Sequence, residues 1–152
     1  MSQAANDSSP DAGEPFPIVG IGGSAGALEA LQAFLGNLPA EPGMAFVIAT
    51  HHPPDRRSLL PQILAENCDL PVSEAEAGEQ LVAGRVYVLP SGHSWRLEGR
   101  RLIPQTREEE DAEASGGHSG GHRGPPHPVD ALFRSLAAEQ GGRAVAIVLS
   151  GT

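Results

Sequence analysis

Ile18-Val19-Gly20-Ile21-Gly22-Gly23-Ser24-Ala25-Gly26, read together with Met44-Ala45-Phe46-Val47-Ile48-Ala49, decides the fold. The first run is apolar and ends in glycines. Residues 25–35 then carry apolar side chains at helical spacing, and Gly36-Asn37 followed by Pro39 stops that helix. The second run is again apolar and of strand length. A helical crossover requires its two strands to be parallel, and a parallel sheet covered on both faces needs near-continuous apolar strands, as here. The reading is an α/β domain of Rossmann-like, three-layer α/β/α build with a mostly parallel sheet.

Working outward, residues 55–67 predict a second helix with Leu59, Leu60, Ile63 and Leu64 on its apolar face, and Pro61 blurs its start. Val72 and Arg85-Val86-Tyr87-Val88-Leu89 supply further strand signal, the latter closed by Pro90-Ser91-Gly92. Trp95-Arg96-Leu97 and Arg101-Leu102-Ile103, separated by Glu98-Gly99-Arg100, predict a β-hairpin. From 105 to 126 the apolar signal vanishes into an acidic block and a Gly/His/Ser tract, predicting a disordered surface insertion. A helix over 129–140 and a strand over 144–149 resume the pattern. Ser150-Gly151-Thr152 closes that strand where a turn and another covering helix would follow, so the fold is expected to lack its C-terminal strands and helices. Residues 1–15, without apolar periodicity, form a flexible lead-in, and 16–152 form the domain.

The length of 152 residues suits one domain that buries about two-thirds of its unfolded surface. Ten arginines and no lysine against 19 acidic residues give a net charge of -9, which argues against nucleic acid or anionic membrane as partner. No apolar run approaches the roughly 20 residues of a membrane span, and the N-terminus lacks a secretory signal, so a soluble cytoplasmic protein is expected. One cysteine, Cys68, excludes an internal disulfide or a multi-thiolate zinc site.

Gly22-Gly23-Ser24-Ala25-Gly26 fits G-x-S-x-G at a strand-to-helix turn, where small neighbours permit a sharp backbone that presents a serine hydroxyl. Taken alone, the segment is equally a glycine-rich turn that packs helix on strand. Thr50-His51-His52-Pro53-Pro54 follows the second strand, so a parallel sheet sets Ser24 and these histidines on one carboxyl edge, the usual place of α/β sites. Adjacent strands lie about 4.8 Å apart, within reach for an imidazole to deprotonate a hydroxyl. Either histidine alone reads as a loop residue or cap; beside Ser24 it reads as a base. Gly20-Ile21-Gly22-Gly23-Ser24-Ala25 also satisfies a dinucleotide fingerprint, but the acidic residue expected roughly 20 positions on is replaced by Thr50-His51. His118, His122 and His127 have H-x₃-H spacing without a rigid element to preorganise ligands, so neither metal nor cofactor is expected.

Several of these segments together resemble the catalytic domain of the chemotaxis protein-glutamate methylesterases, the CheB family, in the form that opens fused methylesterase-methyltransferase proteins. The carriers are residues 18–26, His51-His52-Pro53-Pro54, residues 74–79, Val86 to His93, Pro128 to Ser135 and Ala146 to Thr152. The resemblance implies a serine hydrolase that cleaves glutamate methyl esters, and deamidates glutamines, on the cytoplasmic domains of methyl-accepting chemoreceptors. It maps the nucleophile to Ser24 and the general base to His51, with His52 in reserve; Thr50 stands where the family carries glutamine and Ala27 where it carries a second glycine. The family's orienting aspartate maps beyond Thr152, so no residue is assigned that role and Asp130 belongs to another segment. Activity of this chain is therefore expected to be crippled, and a non-catalytic fragment or docking module is the alternative. A fused or associated methyltransferase or sensor kinase is a further expected partner.

Overall fold

The computed structural model describes residues 14–50, 59–106, 108–109, 112 and 127–150. Its centre is β1 (Ile18–Gly23), six consecutive buried residues flanked by two strands. β2 (Ala45–Thr50) pairs with it in parallel on one side, also buried throughout. Three further strands of this sheet are β3 (Val72–Glu74), β5 (Val86–Val88) and β8 (Ala144–Leu149). The order is β3-β5-β2-β1-β8 with every pairing parallel, as the crossover argument requires.

Helix α1 (Leu28–Gly36) buries Leu31 and Leu35, and α2 (Leu60–Glu66) buries Leu60 and Leu64, against one face of the sheet together with Val19, Ile21, Phe46 and Ile48. The Asn37 side-chain Nδ2 donates to Ala33 O at 2.6 Å and finishes α1, the local meaning of the Gly36-Asn37 stop signal. The expected helix over 55–67 is shorter where it is described: Leu59 is not helical, Leu60 opens α2 and Pro61 occupies its first turn, where the missing N–H costs nothing. Residues 55–58 lie outside the described residues. Likewise the helix expected from residue 25 opens with a 3-10 turn over Ala25–Ala27 before α1 begins.

The opposite face is covered by α3 (Pro128–Gln140) and a small antiparallel sheet of β4 (Glu79–Gln80), β7 (Arg101–Pro104) and β6 (Trp95–Glu98). The hairpin expected at 95–103 is present, and β4 is an addition that the sequence did not signal. Its two polar residues carry no alternation and are recruited by pairing with Leu102 and Arg101. Leu97 N–H donates to Ser135 Oγ (3.0 Å) and Gln140 Nε2 donates to Gly99 O (2.9 Å), which fastens the small sheet to α3. Phe16 lies under the Arg100 guanidinium at 4.9 Å, which ties the chain before β1 to the β6–β7 turn.

Two glycines of β1 exist for this layer. A Cβ on Gly22 would sit 2.4 Å from Val129 Cγ1, and one on Gly20 would meet Leu136 and Phe133 at 3.0–3.2 Å, so α3 can lie on β1 only because both lack side chains. Buried Tyr87 accepts a hydrogen bond from Val82 N–H at 2.8 Å. Burial pushes its phenol pKa above the ordinary 10.0, helped by Glu79 and opposed by the Val82 hydrogen bond and Arg85.

The first residues of the segment expected to be disordered, from 105, are held in place by hydrogen bonds. Gln105 is buried and its N–H donates to Ser94 O (2.9 Å), extending the β6–β7 ladder. Thr106 and Glu109 then exchange hydrogen bonds, Thr106 N–H to Glu109 Oε2 at 2.9 Å and Glu109 N–H to Thr106 Oγ1 at 3.2 Å, the reciprocal arrangement of a capping box. Most of the remainder to 126 lies outside the described residues, as do 1–13 of the lead-in. Among the described residues no helix is long and apolar enough to cross a membrane.

Candidate active site

The carboxyl edge of the sheet is where the sequence puts its chemistry, and the register fixes how its strand ends meet. Gly23 is paired with Thr50 across β1 and β2, and with Leu149 across β1 and β8. Ser24 is therefore the first residue past the paired end of β1, as residue 51 is past that of β2. Ser24 is exposed. Its backbone is extended (φ -85°, ψ 176°) and its C=O accepts from Ala27 N–H at 3.0 Å, opening the 3-10 turn. The hydroxyl makes no capping hydrogen bond to that turn, so it is not spent on the helix start.

One expectation changes here. The G-x-S-x-G pattern predicted a sharp backbone at the serine, yet Ser24 sits in relaxed extended geometry. The glycines serve packing on both faces, Gly22 against Val129 and Gly23 against Ala27, whose Cβ would lie 2.9 Å from a Cβ at 23. The same packing accounts for the glycines of the dinucleotide fingerprint without a phosphate.

Thr50, the last residue of β2, is buried. It is 7% exposed, and its buried Oγ1 has no hydrogen-bond partner among the described residues. A buried hydroxyl left unpaired costs about 1–3 kcal/mol. Only the run of apolar residues before it hinted at its depth, since 45–49 extends the buried stretch to the strand's last position.

His51 and His52 lie outside the described residues, as do His118 and His122. His127 is exposed and immediately precedes α3. Among the described residues no group of three His, Cys, Asp or Glu side chains is placed to hold a metal ion. Asp130, in the first turn of α3, is exposed. His93, past the exit of β5, stacks on Trp95 with ring centroids 6.0 Å apart and planes at 21°. Cys68 is free and half-buried.

Architecture and rim together define an α/β domain with a serine presented at the carboxyl end of its central strand. The profile of the CheB methylesterase family matches residues 19–152, and the chain belongs to that family. A protein-glutamate methylesterase/protein-glutamine glutaminase of Koribacter versatilis is 32% identical over 137 residues, covering 90% of this chain and 36% of the relative. One from Desulfitobacterium hafniense is 34% identical over 149 residues, covering 93% and 36%. The chain thus spans about a third of the length of these curated relatives. The crystal structure of the Thermotoga maritima CheB methylesterase catalytic domain superposes with a TM-score of 0.70 at 23% identity, over 89% of this chain and 67% of that one. This likeness bears out the mostly parallel α/β fold.

Proposed function

We propose that the chain carries the nucleophile of a protein-glutamate methylesterase and protein-glutamine deamidase, with Ser24 attacking and His51 as general base. The observation that carries the reading is the exposed, uncapped Ser24 hydroxyl one residue past the Gly23–Thr50 pair, with His51 next after Thr50. In this scheme the imidazole takes the Ser24 Oγ proton while Oγ bonds to the ester carbonyl carbon. The carbon–methoxy bond then breaks, and the imidazolium returns the proton so that methanol leaves. Water attacks the acyl-enzyme by the same route, freeing the glutamate carboxylate and restoring the hydroxyl. With a glutamine side chain the leaving group is ammonia. The first amides of the 3-10 turn, at Ala25 and Gly26, have no intrahelical acceptor and lie next to the developing oxyanion.

The substrates in this reading are cytoplasmic domains of chemoreceptors, in the cytoplasm, with a fused or associated methyltransferase or sensor kinase as partner. No described residue takes the orienting acid's role, and loss of that acid costs about 10⁴ in turnover. Turnover by the 152 residues alone is therefore expected to be slow, whereas stoichiometric labelling of Ser24 by a fluorophosphonate needs a single event per molecule. Labelling at Ser24, located by peptide mass spectrometry and absent in Ser24→Ala, supports the reading; equal labelling of both proteins refutes it.

A non-catalytic docking role is favoured by a separate observation, the apolar surface of β8, where Val148 is 71% exposed. Receptor binding by a chain with no Ser24 labelling would select it.

A further inference from the structure

Ser24 continues the alternation of β1, in which Gly22 faces Val129 of α3 and Gly23 faces Ala27 on the other side. Its extended backbone therefore presents the hydroxyl on the α3 side of the sheet, beside the start of that helix. The chain brings His93 to the same end and face. β5 runs parallel to β2, and Leu89 N–H donates to Ile48 O at 2.9 Å, so residues 89–93 leave the sheet at its carboxyl edge. β6 then runs alongside α3 in the same direction: Leu97 N–H donates to Ser135 Oγ at 3.0 Å and Gly99 N–H to Glu139 Oε2 at 3.1 Å, which sets Trp95 and His93 towards the start of the helix. Trp95 is 3% exposed and belongs to the core with Leu97, Leu132 and Leu136, so its indole is a fixed base. His93 is exposed and stacks on that indole, centroids 6.0 Å apart and planes at 21°, which leaves the other face of the imidazole outward.

We propose that the outward face of the His93 ring binds the polypeptide that carries the glutamyl ester, and so helps to determine which substrates Ser24 attacks. β2 lies between β1 and β5, which puts their ends two strand spacings, about 10 Å, apart. At the far end His93 is out of reach of the reacting carbonyl, whereas a bound chain covers that distance in about three extended residues. A ring already fixed on Trp95 loses little freedom when a chain settles on it, so the contact is a gain in binding. The inference rests on the reading of Ser24 as nucleophile given above.

The test labels Ser24 in the full chain and in its His93→Ala, His93→Phe and Ser24→Ala variants with two probes. One is a small alkyl fluorophosphonate; the other is a peptide with several residues on either side of a side chain that ends in the same group. The ratio of peptide to small-probe labelling rates cancels any loss of folded protein, and the peptide rate is resolved into a binding constant and a maximal rate. His93→Ala is expected to lower the ratio about 3- to 10-fold, the size of a ring-stacking contact, through weaker peptide binding at an undiminished maximal rate. His93→Phe is expected to keep the ratio, because it keeps a flat ring on Trp95. An unchanged ratio in His93→Ala, a loss confined to the maximal rate, or a phenylalanine variant as poor as the alanine one overturns the inference while leaving the esterase reading intact. A parent that neither probe labels faster than Ser24→Ala overturns the esterase reading, and this inference with it.

Discussion

β1 and β8 are hydrogen-bonded neighbours of six residues each, both apolar and in register, yet their surroundings are opposite. Val19 and Val145 stand directly across from one another; the first is 3% exposed and the second 42%. β1 has strands on both edges and helices on both faces. β8 has a described partner only at β1, and Val148 on its other face is largely open. Depth in a sheet is thus a property of what lies on either side, and an apolar run records strand identity without recording depth. At the far edge, β3 behaves as edges usually do: it is three residues long and ends in exposed Glu74. β8 has the composition of an interior strand at an edge position.

The largest effect that would sharpen this comparison falls on β1. Gly22→Ala drives a Cβ into Val129 and should cost up to about 3 kcal/mol in denaturant unfolding. Adding Val129→Ala should recover much of that loss, as expected for residues in contact. Next come matched substitutions: Val19→Thr buries a hydroxyl and should cost about 1–2 kcal/mol, while Val145→Thr should stay within about 0.5 kcal/mol. Equal costs in the two strands would break the contrast.

A smaller effect tests the layer beneath. Tyr87 has a folded pKa raised above 10.0, so its contribution to stability is fully present below pH 10 and is lost as pH rises through the folded value, where the unfolded chain ionises first. Thermal midpoints should fall more steeply above pH 10 in the parent than in Tyr87→Phe. Smallest in stability is Val148→Lys, which should barely move the midpoint but reduce self-association in sedimentation, because a charge on an open apolar edge discourages pairing.

Much of this was legible in the sequence because the controlling signals are local. The strand–turn–helix–strand of 18–49 follows from periodicity and stop residues, and Gly36-Asn37 ended α1 where its amide caps it. What was not legible depends on distant partners. β4 exists because Leu102 and Arg101 lie beside Glu79 and Gln80, and Gln105 is ordered because Ser94 O accepts its N–H. At the site, the residue types at 24 and 51 are what the proposed nucleophile and base rest on. The extended backbone of Ser24 and the burial of Thr50 are tertiary features that no spacing rule encodes.

The central claim is that Ser24 is activated by the imidazole that follows β2. Phosphonate labelling of Ser24 in His51→Gln and His52→Gln tests it most directly. The account predicts that His51→Gln slows labelling by at least about 100-fold, with His52→Gln near the parental rate and both proteins folded by circular dichroism. Labelling that survives the loss of His51, or that depends on His52 instead, would contradict it.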